Sequence, residues 1–254
     1  MTSGRPRGCT NGPHLKLVSV RVTPLQSSIY MHFARLAGLL LVSIATLAQQ
    51  QSVEITSEPS HHLVMENAYV RVFDVTVAPK ATTLVHRHNN DYLFVTLGDS
   101  DVISARPGEK PAALLLKDGE IRFTPGKFAH AAINQSDEPF HNITIELLKP
   151  ATNVRACKGV CPPMYGRISS DQWLISVSTI PAASQIQVAD QESDALLVAV
   201  SELELSQLLN GKPTLTTMTP GKLLWLPSGA TPVLKNSFSK PAMYVVLKFN
   251  AEKQ

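Results

Sequence analysis

Residues 119–134 read GEIRFTPGKFAHAAIN, and residues 221–236 read GKLLWLPSGATPVLKN. Both open on Gly, place Pro at the seventh position and close on Asn at the sixteenth. The same offset aligns Lys110-Pro111 with Lys212-Pro213 and Pro139 with Pro241, without a gap. Further upstream Val77-Ala78-Pro79 falls opposite Thr179-Ile180-Pro181. The apolar run Leu93 to Leu97 matches Leu196 to Val200 after a shift of one residue. An internal repeat of this length marks a duplicated structural unit. The two halves span 60–150 and 168–250, joined by a Cys- and Pro-rich linker at 151–167.

Each half reads as β. Tyr69 to Val77 alternates apolar and polar residues, the period of a half-buried strand rich in β-branched side chains. Leu93 to Leu97, Ala113 to Leu116, Ile121 to Phe123 and Ile143 to Leu147 are further short strands. Gly98, Pro107-Gly108, Asp118-Gly119 and Pro125-Gly126 punctuate them at turn spacing. Short strands with regular turns, present twice, predict two barrels or sandwiches in tandem. The one helical candidate is Ser201 to Asn210, with a Ser201/Glu204 capping box and Gly211 at its end; an edge strand and loop fits that stretch equally.

Histidines carry the candidate chemistry. His86-Arg87-His88 sets two imidazoles at i and i+2, on one face of a strand. His130 lies in the later motif, four residues before Asn134. Imidazole is the commonest side-chain metal ligand, and three converging on one cavity suit Fe, Mn, Zn, Ni or Cu.

Residues 79–98, PKATTLVHRHNNDYLFVTLG, resemble the first motif of the cupin superfamily, and GEIRFTPGKFAHAAIN resembles the second. The resemblance covers most of 60–150 and, more weakly, 168–250. It implies an all-β chain of two jelly-roll-like cupin barrels, the first holding one divalent transition metal on His86, His88 and His130. Two departures stand out. Gly126 follows Pro125 directly, where the family has Gly two places after Pro. The metal-ligating Glu that usually follows the second His is replaced by Tyr92 and Leu93, so Asp91, Tyr92 or water would complete the ligand set.

In the second half Pro232 stands where His130 stands in the first, and Val188/Asp190 or Ala189/Gln191 replace the His pair. That barrel is expected to be structural or partner-binding. His61 and His62 precede the first strand and are expected to be solvated. His141 alternates with Ile143, Ile145 and Leu147, which suits a core histidine as well as a functional one. Glu146 falls on the opposite face, inside or outside the barrel. No Ser-His-Asp order, Gly-rich phosphate loop or nucleophilic Cys context is present.

The N-terminus differs from the rest. Met31 to Arg35 is a short basic start, followed by an apolar run from Leu36 to Leu47 and small residues at Thr46 and Ala48. These are the parts of a secretory signal peptide at 31–48, too short for a comfortable membrane span. Residues 1–30 are expected to be unstructured, with Met31 the better start, and 49–59 to be a linker. Five of the 23 basic residues and none of the 20 acidic ones lie in residues 1–48, so the remainder is slightly acidic. The basic pI therefore belongs to the leader and gives no case for nucleic acid. Cys157 and Cys161 are expected to form a local disulfide in an oxidising compartment.

The reading is an exported, periplasmic or secreted metal-binding bicupin, with oxygenase action on a small organic molecule leading. The alternative is a non-catalytic ligand-binding or structural cupin. Either a homodimer or a monomer, its halves covering each other, is consistent with the sequence.

Overall fold

The computed structural model describes residues 51–155, 167–188, 192–209 and 212–250. The extension, the signal segment, Cys157, Cys161 and residues 189–191 lie outside the described residues. Among those described, no helix is long and apolar enough to cross a membrane.

Ten strands build the first barrel: β1 (Val53–Glu54), β2 (His61–Glu66), β3 (Val70–Val77), β4 (His86–His88), β5 (Tyr92–Leu97), β6 (Ser100–Ala105), β7 (Ala112–Leu116), β8 (Ile121–Thr124), β9 (Phe128–Asn134) and β10 (Phe140–Leu147). They form two five-stranded sheets, ordered β1-β4-β9-β6-β7 and β2-β3-β10-β5-β8. The second barrel holds β11 (Arg167–Ser169), β12 (Trp173–Ile180), β13 (Ser184–Gln187), β14 (Ala195–Ala199), β15 (Leu203–Leu209), β16 (Lys212–Met218), β17 (Leu223–Leu226), β18 (Val233–Asn236) and β19 (Ala242–Phe249). Its sheets run β11-β12-β19-β14-β17 and β13-β18-β15-β16. The two orders are the same, save that among the described residues the second barrel has no strand matching β1.

Two expectations are corrected. Residues 203–209 form strand β15, not a helix. Leu203 and Leu205 are buried with a period of two, and β15 pairs with both β16 and β18. The residues of the supposed capping box bond elsewhere: Ser201 Oγ accepts from the Met243 amide, and Glu204 meets Ser237 and Lys235. The first barrel also begins before residue 60. Val53 and Glu54 pair in parallel with His86 and Arg87, and Ile55 and Glu58 are both only 3% exposed.

The barrels pack sheet against sheet. Val72, Val95, Ile143 and Ile145 of the first meet Ile175, Val198, Val245 and Leu247 of the second in one buried cluster. The arrangement is close to two-fold. A Cβ on Gly119 would strike Met243 and approach Val200, while one on Gly221 would approach Leu97, Ile143 and His141. Both glycines also hold a positive φ, 71° and 83°, so their turns need glycine for conformation as well.

The motif asparagines explain why the repeat ends on Asn. Asn134 Nδ2 donates to the carbonyls of Val77, Ala78 and Glu138, and its Oδ1 accepts from the Ser136 amide. Asn236 does the same with Ile180, Pro181, Lys240 and Phe238. Each saturates loop groups that burial would otherwise leave unpaired.

Candidate metal centre

Strands β4 and β9 pair antiparallel, with His86 opposite His130. Residues directly opposite share a face, and i, i+2 spacing adds His88 to it. The three imidazoles thus converge inside the barrel, each offering a ligand nitrogen within 4.8 Å of the others. His86 and His88 are 1% exposed and His130 is 9% exposed.

The surroundings orient the rings. His86 Nδ1 donates to the Leu84 carbonyl at 3.0 Å, which leaves its Nε2 bare, buried and without a protein partner. His130 Nδ1 lies 2.8 Å from Ser104 Oγ, and its Nε2 faces His88 Nε2 at 3.2 Å. A buried nitrogen without a partner, as His86 Nε2 is, is costly in a low-dielectric interior. A cation between the rings removes that cost, and outer hydrogen bonds of this kind fix the tautomer of metal-ligating histidines. The residues present therefore fit one divalent transition metal.

Electrostatics keep the rings neutral, as ligation requires. Burial lowers His86 to about 4 and His130 to about 3, and drives His88 lower still. Mutual repulsion among the histidines, and the Arg106 charge for His88 and His130, add to it.

A cavity of about 440 Å³ opens above the cluster. Phe94, Phe128, Phe140, Val75 and Val77 give it apolar walls; Arg106, Lys110 and Arg122 bring positive charge to its lining against one carboxylate, Glu109, 4.0 Å from Arg106. The Arg106 guanidinium stacks on Phe128, 3.8 Å from the ring centroid. Tyr92 stacks on His88 with centroids 4.0 Å apart, and burial raises its hydroxyl to about 12, so it is a neutral phenol.

Asp91 is not at the cluster. Its Oδ1 accepts from the Gly126 amide at 2.9 Å and so holds the Pro125-Gly126 turn. Asp194 does the same for Ser228 in the second barrel. The displaced motif glycine has a local account too. A Cβ on Gly126 would overlap the Asn90 carbonyl, and Lys127 takes a φ of 66° where the second barrel has Gly229 at 82°. Glu146 points inward, 1% exposed, and meets Arg71 at 3.3 Å. His141 is half-buried outside the cavity and bonds Asp74 at 2.7 Å.

The expectation for His61 is overturned. His62 is exposed, but His61 is buried and lines the cavity, its ring centroid 4.6 Å from that of His86. Its Nδ1 is 2.6 Å from Glu58 Oε2. The i, i+3 spacing of Glu58 and His61 was present in the sequence, ahead of any strand pattern that could aim it inward.

Among its described residues the second barrel offers no such place. Val188 takes the position of His86, its amide donating to the Pro232 carbonyl. Leu234 stands where Ala132 does, Tyr244 where Asn142 does and Val246 where Thr144 does, and all three join the buried core that fills the interior.

No family model and no curated protein matches the sequence. Solved structures do. AerE from Microcystis aeruginosa superposes with a TM-score of 0.53 at 13% identity, over 76% of this chain and 99% of that one. Salicylate 1,2-dioxygenase from Pseudaminobacter salicylatoxidans gives 0.53 at 13% identity, over 74% and 75%. A point variant of that enzyme in complex with gentisate gives 0.50 at 12% identity, over 75% and 76%. The chain has a tandem cupin fold. At these identities the likeness of this chain to its neighbours is one of fold, and its chemistry must be argued from its own cavity.

Proposed function

We propose that this bicupin is a metal-dependent oxygenase acting on a small anionic organic molecule, with the metal held by His86, His88 and His130. One observation carries the reading. Three buried, neutral imidazoles converge beneath an apolar cavity with Arg106 and Lys110 in its lining, and among the described residues no carboxylate or thiolate joins their cluster. A three-histidine set leaves coordination positions open and the charge of a dication uncompensated, which favours an anionic chelator. A bound ion supplies Lewis acidity and, for iron or copper, redox chemistry.

The chain's own residues do the rest. Arg106 and Lys110 attract the anionic group, and the stacking of Arg106 on Phe128 holds one guanidinium face against an aromatic wall. Phe94, Phe128 and Phe140 accept an apolar or aromatic body. Tyr92 offers a neutral hydroxyl, already bonded to Thr124. The salicylate dioxygenase and its gentisate complex supply a first panel of hydroxybenzoates for testing. The segment 31–48 supports export as a signal peptide, which N-terminal sequencing of the expressed protein tests.

Metal analysis of the purified protein beside His130→Ala tests the core of the reading. About one equivalent of a first-row metal, lost in the variant, is expected; no metal in either after reconstitution refutes it. Oxygen uptake with the hydroxybenzoate panel then tests the oxygenase. A loaded protein that binds an aromatic acid without consuming oxygen is a metal-dependent binding protein instead.

A further inference from the structure

The segment that opens the first barrel has no counterpart among the described residues of the second, whose matching sheet has four strands instead of five. It brings a buried carboxylate behind the cavity wall, against His61. Glu58 is 3% exposed and every hydrogen bond it makes is to a donor: Oε2 accepts from the Ser60 amide at 2.8 Å and faces His61 Nδ1, and Oε1 accepts from the Leu84 amide at 3.1 Å. The carbonyl of that same Leu84 accepts from His86 Nδ1. One carboxylate therefore sets two rings, His61 directly and His86 through the backbone of a single residue, Leu84. Phe73 closes on the His61 ring edge-on, at 6.0 Å, and restricts its rotation.

A buried carboxylate costs free energy unless its partners compensate, and packing alone would be met by an apolar side chain. Its use here is orientation. With Nδ1 committed to Glu58, Nε2 is the ring nitrogen left for the cavity that His61 lines. Its cross-strand neighbour is the apolar Val75, and Asn142 follows Val75 across the sheet as a second polar lining residue. A polar ring atom held in one direction beside an open metal position favours a ligand carrying a hydroxyl within its reach.

We propose that His61 makes the hydrogen bond to a hydroxyl oxygen of the molecule chelated at the three-histidine centre, and that Glu58 is the positioning residue holding both His61 and His86 for it. This rests on the metal-site reading above and adds a residue pair and a ligand class to it.

The test loads the full chain with iron(II) without oxygen and titrates it with 4-nitrocatechol, a chromogenic dihydroxy chelator. 4-Nitrophenol, which lacks the second hydroxyl, is the comparison. His61→Phe is expected to keep its metal and weaken 4-nitrocatechol binding about tenfold, with 4-nitrophenol unaffected. His61→Gln, which keeps a polar end, recovers part of the loss and serves where the Phe variant folds poorly. Glu58→Gln lowers metal and probe affinity together, because either orientation of its amide turns an N–H toward a donor. In the zinc-loaded protein it also moves the His61 ring 15N shifts, which a merely structural role for Glu58 would leave in place. Equal 4-nitrocatechol affinity in wild type and both His61 variants overturns the proposal. So does loss of metal from folded His61→Phe, which makes His61 a ligand. Failure of the wild type to bind any metal removes the site reading itself, and this inference with it.

Discussion

Taking the metal-free protein from about pH 7 to about pH 5 is expected to unfold the first barrel, and the three histidines set the size of the effect. Their folded pKa values lie below the ordinary value, at about 4 for His86, about 3 for His130 and lower for His88. The unfolded chain therefore binds protons first as the pH falls. The stability that neutral rings contribute is complete above about 6.5 and is lost downward from there, through the folded values. At about pH 5 each ring has lost about 2 kcal/mol, which for three is comparable with the whole stability of an ordinary domain. Urea unfolding followed by circular dichroism, at both pH values and after chelation, measures this. The control is a triple variant, His86→Gln, His88→Gln and His130→Gln, which removes the titrating groups and is expected to be far less acid-sensitive. Equal loss of stability in wild type and triple variant over this interval would refute the reasoning.

Other outcomes are expected from the same geometry. Ala132→Leu copies Leu234 of the filled barrel; it should leave the melting temperature within a few degrees and abolish ligand binding in the cavity, as read by 4-nitrocatechol titration. Lys127→Gly relieves a side chain held at positive φ and should stabilise by about 0.5–1 kcal/mol, whereas Gly126→Ala forces Asn90 aside and should cost about 2 kcal/mol or more, both read by urea unfolding. Asn236→Ala strands the three carbonyls it serves and should cost about 2–4 kcal/mol by the same measurement, without touching metal content. Chelation at neutral pH should lower the melting temperature, and iron(II) or zinc should restore it, since a ligand that binds only the folded state stabilises it by mass action.

Much of the fold was legible because it was written twice. Gly119, Pro125 and Asn134 recur as Gly221, Pro227 and Asn236, and the structure gives the end members of that register matching work in matching places. His86 and His88 were legible from their i, i+2 spacing and His130 from the resemblance of 119–134 to the second cupin motif, whereas the pairing that sets His86 opposite His130 is tertiary. Other positions misled because local pattern competes with partners distant in sequence. Ser201 and Glu204 sit at capping-box spacing, yet their hydrogen bonds go to Met243 and Ser237. Asp91 has the right chemistry for a ligand and instead secures a turn that lies 35 residues away.

By itself the sequence determined the duplicated β architecture, the pairing of His86 and His88 on one face, and the absence of their partners from the second half at Pro232. These follow from period, turn chemistry and residue identity, which are local. The tertiary structure alone decided which barrel is hollow, because volume is a property of side chains meeting across strands. Ala132, Asn142 and Thr144 leave space where Leu234, Tyr244 and Val246 fill it. It also decided that His61 lines the cavity, since a histidine in an unpatterned segment acquires a direction only when Glu58 and Phe73 close on it.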